Sequence, residues 1–443
     1  MSELRTTEQP GAAAIHDQDV PTWELLRTCV HCGLCLNHCP TYKVLGMEMD
    51  SPRGRIYQVL HVNEGDMAMG EAFALHIDRC LGCLACETAC PSGVQYGRIV
   101  ERARAQIEQN YKRPLLTRLM RQLFYRKIIV NFRRLGFLAR LMRFYQRSGL
   151  QTLLRKTGVL KLVGVADLDR LAPQIDDEFF FSEIGKVFPA VGQRRGKVAF
   201  LAGCINNVAF SHLNRATINV LTRNGIEVHV PAGQGCCGAL HAHAGFREDA
   251  RTLARNNIQV FLAGDYDAIV TNAAGCGSNL KEYDDLLEHD PQFAERAKAF
   301  KAKAKDVTEY LAQMGLLPPK KKITRKVAYQ DPCHLANAQR VRTQPRELLK
   351  AIGCDLVELP HPDQCCGSAG VYNVAQNELS MKILEAKMDD VTSVSSDMVV
   401  TANVGCMIQL RAGIDQRGLK LPVKHVVELL EEAYFPERSE GAL

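Results

Sequence analysis

Eight of the seventeen cysteines in this chain form two copies of one spacing, Cys-x-x-Cys-x-x-Cys-x-x-x-Cys-Pro. Each iron of a cubane iron-sulfur cluster takes one thiolate, and two-residue gaps let a tightly turning chain aim three sulfurs inward from one side. In such paired runs the fourth ligand comes from the other run. The spacing therefore predicts two [4Fe-4S] clusters, one held by Cys29, Cys32, Cys35 and Cys90 and the other by Cys80, Cys83, Cys86 and Cys39.

Structural zinc and disulfides are the other common uses of clustered cysteines. Zinc ribbons and fingers take their ligands from two separated pairs, which a repeated run of four ending in Cys-Pro does not match. Residues 1–20 carry no apolar secretory segment, so a cytoplasmic protein with ligand cysteines is expected rather than a disulfide framework. No stretch approaches eighteen consecutive apolar residues, so any contact with the inner face of the membrane is expected to be peripheral.

The second half of the chain repeats itself. Val198–Cys204 is echoed by Val327–Cys333, and each copy continues with a Cys-Cys-Gly turn and a further cysteine. The cysteine offsets are 129, 129 and 130 residues (333 − 204, 365 − 236 and 406 − 276). Such regularity predicts two homologous lobes. The candidate metal ligands are Cys204, Cys236, Cys237 and Cys276 in the first lobe and Cys333, Cys365, Cys366 and Cys406 in the second.

What the lobe cysteines bind stays open at this point. Four thiolates suffice for one cubane cluster per lobe. Adjacent cysteines are awkward ligands for one cubane because successive side chains diverge, so a structural role or a different metal are alternatives. At least one further iron-sulfur cluster in a lobe is predicted. Cys354 matches an apolar position of the first lobe and is interpreted as a core residue.

The elements that position these cysteines differ between the two halves. Between the Cys-Pro runs, Ser51-Pro52 predicts a helix that ends before Gly65, and a second helix is predicted to precede Cys80. The lobes alternate strand and helix, with strands over 198–202, 227–231 and 268–272 and a helix over 208–224. In such parallel α/β sheets, ligands gather at the carboxyl ends of the strands, where these cysteines follow.

The predicted fold is thus α+β and multidomain. An α-helical ferredoxin domain with two [4Fe-4S] runs precedes two duplicated α/β Cys-Cys-Gly lobes with parallel sheets. The predicted divisions are a flexible segment 1–20, the ferredoxin domain 21–111, a basic helical connector 112–195, and the lobes 196–318 and 319–443. The string Gly233-x-Gly235-x-x-Gly238 fits a dinucleotide fingerprint, but the second lobe keeps its cysteines and loses its first two glycines. No flavin or nucleotide is therefore expected on this chain.

Charge is concentrated in the connector. Residues 112–161 hold fourteen Lys and Arg and no Asp or Glu, interleaved with leucine and phenylalanine. This pattern predicts amphipathic helices with a basic face. A membrane-surface helix, a docking face for an acidic partner subunit and a solvated linker are the three open interpretations. No nucleic-acid-binding module accompanies the segment, so no nucleic acid partner is expected.

The double Cys-Pro run, the segment Met49-Asp-Ser-Pro-Arg-Gly-Arg-Ile-Tyr57 and the two lobes together resemble the iron-sulfur subunit of bacterial glycolate oxidase. The lobes are also similar to those of heterodisulfide reductase, lactate-utilisation proteins and an anaerobic glycerol-3-phosphate dehydrogenase subunit. The resemblance implies an electron-relay subunit, not competent alone. It would take electrons from FAD-binding subunits that oxidise a 2-hydroxy acid, most simply glycolate, and pass them towards quinone or a membrane acceptor.

The chain departs from the heterodisulfide reductase pattern, where the last lobe cysteine begins a Cys-x-x-Cys pair. Cys276 is followed by Gly277-Ser-Asn and Cys406 by Met407-Ile-Gln. A catalytic lobe that attacks a disulfide is therefore the less favoured alternative to a relay. Five histidines flank the cysteines, and they are interpreted as loop residues that are placed to tune a cluster or relay protons. These are His31, His38, His241, His243 and His334.

Overall fold

The N-terminal region is helical, as its turn and cap residues predict. The computed structural model describes residues 17–439. Ser51 caps the third helix by accepting a hydrogen bond from the Gly54 amide at 3.0 Å, and Gly65 ends it with φ 82°. Both predicted helices of this region are confirmed. Its helices are α1 (Trp23–Arg27), α2 (Pro40–Leu45), α3 (Pro52–Glu64), α4 (Glu71–Asp78), α5 (Ala85–Thr88) and α6 (Tyr96–Asn110).

Most of the segment predicted to be flexible, residues 1–20, lies outside the described residues. Asp19 belongs to the part that is described, and its buried carboxylate accepts hydrogen bonds from Arg247 at 2.8 Å and from Arg251. The chain therefore enters the N-terminal region already anchored to the first lobe.

The connector forms a second helical layer on the first lobe. Ile129, Leu135 and Phe180 join the main hydrophobic core, whereas the first helix of the connector, Leu115–Leu123, has no buried residue and exposes its four leucines. The helices are α7 (Leu115–Leu123), α8 (Phe132–Arg147), α9 (Leu150–Lys156), α10 (Val159–Leu162) and α11 (Ala166–Leu171), with a wide π-helical turn at Phe124–Ile128. No helix within residues 17–439 is long and apolar enough to cross a membrane.

The first lobe is a five-stranded sheet with helices on both sides, in the order β1-β3-β2-β4-β5. Strands β2 to β5 are parallel, and β1, from the predicted connector, pairs antiparallel with β3. Its elements are β1 (Val187–Phe188), β2 (Gly196–Phe200), α12 (Asn206–Ala209), α13 (Ser211–Arg223), β3 (Ile226–His229), α14 (Ala239–His243), α15 (Arg247–Phe261), β4 (Ala268–Thr271), α16 (Ala274–Leu280), α17 (Tyr283–Leu286), α18 (Ala294–Lys303), β5 (Ala304–Asp306) and α19 (Val307–Met314).

The second lobe repeats this topology with four parallel strands in the order β7-β6-β8-β9. The duplicated parallel sheets confirm the predicted fold class. The elements are β6 (Lys326–Tyr329), a π-helical turn (His334–Ala338), α20 (Thr343–Ala351), β7 (Asp355–Glu358), α21 (Tyr372–Ala375), α22 (Asn377–Thr392), β8 (Met398–Thr401), α23 (Val404–Gln416), β9 (Val423–His425), α24 (Val426–Tyr434) and α25 (Pro436–Ser439).

The two lobes share one hydrophobic core and contact each other reciprocally. Helix α13 of the first lobe packs on α24 of the second, and their counterparts α19 and α20 pack in the same way. The hydroxyl of Tyr434 donates to the Leu317 carbonyl at 2.6 Å across this interface. Such reciprocal packing of equivalent helices is what an approximate two-fold axis between homologous lobes produces.

Candidate iron-sulfur sites

The first cavity opens to solvent and gathers one predicted ligand set. It has a volume of about 420 Å³ and is lined by Cys29, Cys32, Cys35 and Cys90, together with Cys86 and the loop that joins them. Cys32 is exposed and the other three are half-buried. Gly33, at φ 85°, lets the loop turn beside Arg53, which donates to the His31 carbonyl at 3.0 Å. These four cysteines are called the exposed set below.

The second cavity differs from the first in that all its cysteines are buried. It has a volume of about 290 Å³ and is lined by the buried thiols of Cys39, Cys80, Cys83 and Cys86, called the buried set below. The hydroxyl of Tyr96 donates to Cys80 Sγ at 3.5 Å, the Gly82 amide donates to the same sulfur at 3.3 Å, and Thr41 Oγ1 lies 3.2 Å from Cys39 Sγ.

The spacing of the sulfurs suits a multi-atom cluster better than one ion. A tetrahedral zinc site with bonds of about 2.3 Å brings its sulfurs to roughly 3.8 Å from one another. Within residues 17–439, the single group of three ligand side chains whose atoms all lie within 4.8 Å of one another is His61, Glu64 and Asp66, which contains no cysteine. No three thiols of either set are as close together as a single tetrahedral ion requires, so both sets fit a multi-atom cluster better than one ion.

Positive charge is concentrated beside the buried set. The Arg55 guanidinium, 2% exposed, lines the second cavity and donates to Thr41 Oγ1 at 3.2 Å. Arg104 donates a hydrogen bond to the Cys80 carbonyl. Burial raises the pKa of the Cys80 thiol, but these two guanidinium groups outweigh that effect and leave the pKa below its ordinary value. In the exposed set, burial raises the pKa of Cys29 despite a backbone hydrogen bond.

The four cysteines of the first lobe form a row. Cys204 Sγ and Cys236 Sγ lie 3.6 Å apart, Cys236 contacts Cys237, and Cys237 contacts Cys276. Strands β2, β3 and β4 deliver them from the carboxyl end of the sheet, as predicted. His241 contacts Cys236, and its Nε2 lies 2.8 Å from the Tyr125 carbonyl oxygen of the connector.

The second lobe repeats the row with one addition. Cys333 contacts Cys365, Cys365 contacts Cys366, and Cys366 contacts Cys406. A hydrogen bond from Cys365 and the charge of His334 lower the pKa of Cys333 to about 5. Although burial opposes it, the Cys333 thiolate raises the pKa of His334 to about 9.

The addition is a direct contact with the N-terminal region. The thiol of Cys365 also contacts Cys83 of the buried set, and Leu81 and Tyr372 pack around the pair. Asn337 donates to the Cys83 carbonyl at 2.9 Å. The Tyr372 hydroxyl donates to the Arg79 carbonyl at 2.9 Å. The buried set and the second-lobe row are therefore continuous.

Sequence reasoning missed three residues of this junction, Arg104, Asn337 and Tyr372. Asn337 carried a signal, because the position 129 residues earlier (337 − 129 = 208) is Val208, so a polar residue stands in the second lobe where the first has an apolar one. Among the flagged histidines, His241 and His334 contact thiols. His243 instead pairs with Glu101 at 2.7 Å, and the centre of its ring lies 5.1 Å from that of His334, with the two rings tilted by 52°.

His31 and His38 line the first and second cavities respectively. Cys354 packs in the lobe core, as the sequence predicted.

Comparison with known families agrees with this architecture. Residues 25–94 match a 4Fe-4S dicluster domain, residues 198–281 and 327–411 match a cysteine-rich domain, and residues 116–172 match the linker region of the glycolate oxidase iron-sulfur subunit. A crystal structure of a hypothetical protein from Helicobacter pylori, 9% identical, superposes with a TM-score of 0.50 over 86% of this chain and 72% of that one, and shows the fold alone. Fold and sites together define an iron-sulfur electron-transfer subunit.

Relatives identify the family. The chain is 40% identical to the probable glycolate oxidase iron-sulfur subunit of Bacillus subtilis, over 92% of this chain and 94% of that protein. It is 34% identical to the glycolate oxidase iron-sulfur subunit of Escherichia coli, over 93% and 95%. Lactate utilization protein A of Geobacillus is 28% identical over 53% of this chain and 98% of that protein. The chain belongs to the family of glycolate oxidase iron-sulfur subunits.

Proposed function

We propose that this chain relays electrons from an FAD-binding subunit that oxidises a 2-hydroxy acid, glycolate foremost, towards the quinone pool. The observation that carries the proposal is the unbroken series of thiols from the surface to the second lobe. The exposed set meets solvent at Cys32, the buried set lies next to it through Cys86, and Cys83 touches Cys365. When bound, iron-sulfur clusters supply one-electron chemistry at each of these stations.

The cysteines named from the sequence have separate parts in this proposal. The exposed and buried sets each hold one [4Fe-4S] cluster. Cys90 of the second Cys-Pro run completes the exposed set, and Cys39 of the first run completes the buried set. The second-lobe row holds a further iron-sulfur cluster, and the chain itself holds no flavin. Apolar side chains around Cys32 favour a docking face for the partner subunit, because Val30 is 67% and Leu34 56% exposed.

Copurification tests the relay. The tagged chain, isolated anaerobically from its host, is expected to bring flavin-containing polypeptides with it, and the complex is expected to reduce a dye with glycolate. The same chain freed of other polypeptides is expected to retain its iron and to reduce no dye. Lactate serves as the competing substrate, since lactate-utilisation relatives match half of the chain. Glycolate-dependent dye reduction by the isolated chain would overturn the relay assignment.

We further propose that the connector touches the inner face of the cell membrane. Leu115 is 71%, Leu116 72% and Phe144 69% exposed, and Arg118 and Arg133 are exposed among them. Interfacial helices combine such apolar residues with cations that attract anionic lipid, about 1 kcal/mol for each Lys or Arg near the surface.

Vesicle sedimentation of the complex tests this contact. Binding is expected to anionic vesicles at low salt and is expected to weaken in Arg118→Gln/Arg133→Gln protein, because salt and charge removal both reduce the attraction. Neutral vesicles are the control. Equally tight binding of the variant, or binding indifferent to lipid charge, would contradict the membrane role and favour docking to a partner subunit.

A further inference from the structure

Two arginines lie beside the buried set. Arg55 Nε donates to the His76 carbonyl at 2.7 Å, and its two terminal nitrogens each lie 3.2 Å from Thr41 Oγ1, which in turn lies 3.2 Å from Cys39 Sγ. Arg104 donates to the Cys80 carbonyl and, at 2.8 Å, to the His243 carbonyl. Both side chains belong to the buried interior.

The protein leaves much of this charge uncompensated. Asp50 lies 3.5 Å from Arg55, but its two oxygens lie closer to His76 and Arg79, at 3.0 Å each. The hydrogen bonds of Arg104 end on backbone carbonyl oxygens. The carboxylate that its charge reaches, Glu101, is already paired with His243 and Arg247. A buried cation without an opposite charge is costly, and it persists where a nearby anion offsets that cost. Four thiolates around an iron-sulfur cluster provide such an anion, and its charge becomes more negative on reduction.

The exposed set has a different electrostatic environment. Its nearest arginine, Arg53, is 29% exposed and forms an ion pair with Glu48 at 2.7 Å. The two charges largely cancel at a distance, and solvent screens what remains. Protein burial favours the opposite order, because a low-dielectric surrounding disfavours added negative charge in the buried set. Arg55, which lines the second cavity, and Arg104, which binds the Cys80 carbonyl, therefore decide which set is more easily reduced.

We propose that Arg55 and Arg104 raise the reduction potential of the buried set above that of the exposed set, so that electrons entering at the surface move inward to the second lobe. This inference rests on the proposed relay function. In the inward step the exposed set is oxidised by one electron and the buried set is reduced by the same electron, which the flavin subunit supplies. The two arginines act on the direction of transfer and are not themselves oxidised or protonated.

An EPR-monitored redox titration of the anaerobically purified complex tests the proposal. Signals are assigned by Cys32→Ser, which changes the exposed set alone. The wild-type buried set is expected to have the higher midpoint potential. Arg104→Gln is expected to lower that potential by at least 59 mV, a tenfold loss in the one-electron equilibrium between the two sets. Arg53→Gln is the matched control, and its effect on the buried set is expected to be much smaller.

Arg55 permits a second comparison that separates charge from packing. Arg55→Gln is expected to lower the potential of the buried set and Arg55→Lys to restore most of it, with iron and sulfide contents equal in both. Unmoved potentials in Arg104→Gln protein with full iron content, or a wild-type order with the exposed set higher, would overturn the role of the arginines. Purified complex without iron would instead overturn the proposed function itself.

Discussion

Asn337 makes several of the hydrogen bonds between the N-terminal region and the second lobe, and replacing it by valine tests their contribution to this contact. The Asn337 side chain donates to the Cys83 carbonyl at 2.9 Å and accepts from Thr88 Oγ1 at 3.2 Å and from Arg342 at 2.7 Å. Valine is compatible with the lobe fold, since Val208 occupies the equivalent position of the first lobe. The substitution therefore removes the polar contacts while keeping a side chain that the repeat accepts.

The expected magnitude comes from the carbonyl that is left behind. A buried backbone oxygen without a partner costs about 1–3 kcal/mol, which corresponds to roughly 5- to 150-fold in an opening equilibrium. Asn373→Val is the control, because Asn373 is also buried and bonds Gln409 at 3.1 Å entirely within the second lobe. Both variants are expected to lower the free energy of unfolding by a similar amount.

Hydrogen exchange followed by mass spectrometry distinguishes the two variants. Asn337→Val is expected to accelerate amide exchange over residues 81–88 by the factor given above, whereas Asn373→Val is expected to leave this segment protected. Denaturant titration of the iron-loaded protein gives the accompanying loss of stability. Unchanged exchange over residues 81–88 in the Asn337→Val protein would refute the idea that this side chain holds the junction together.

Three further substitutions test other parts of the structure. Gly245→Ala would place a Cβ 2.4 Å from a backbone oxygen of α6, so it is expected to lower the free energy of unfolding by about 3 kcal/mol or more. Gly233→Ala is the control, because Gly233 has a similar positive φ without a backbone clash, and its expected cost is about 1–2 kcal/mol. Burial lowers the pKa of His425 to about 4, so its contribution to stability is complete above pH 6.5 and declines as the pH falls. Between pH 6.5 and 5 the wild-type protein is expected to lose about 2 kcal/mol more of its unfolding free energy than the His425→Asn protein, which lacks this imidazole. The His289→Asn protein, changed at an exposed histidine, is expected to behave like the wild type. Cys90→Ala is expected to abolish the EPR signal of the exposed set and preserve that of the buried set; the reverse result would contradict the crossed ligand assignment.

Local patterns explain why so much of the fold was predictable. Ser51, Pro52 and Gly65 each act on the backbone within one turn, so the start and end of α3 follow from their chemistry alone. The parallel sheets follow from short apolar strands that alternate with helices, and the duplication shows that both lobes share one topology. The predicted helix over 208–224 was wrong in one respect. It is interrupted at Phe210, whose φ of −140° separates α12 from α13.

Contacts between regions were not predictable in the same way. The approach of Cys83 to Cys365 joins segments separated by hundreds of residues, and no periodicity or spacing specifies how separate modules dock. Arg104 looks like one more charged residue on an amphipathic helix, and only the packed structure shows that it reaches Cys80. The antiparallel strand β1 was not predicted either, because a strand of two residues is too short to show an alternating pattern.

The duplicated lobes have acquired different neighbours, and this explains why their sequences diverge where they do. In the first lobe, the third residue after the Cys-Cys-Gly turn is His241, which binds the Tyr125 carbonyl of the connector. Its counterpart in the second lobe is Gly370 (370 − 129 = 241), and there Tyr372 reaches the N-terminal region instead. The same turn is therefore covered by the connector in one lobe and by a cysteine run in the other. Duplication thus gave the chain two similar thiol rows, and it is the second whose Cys-Cys-Gly turn contacts Cys83 of the N-terminal region.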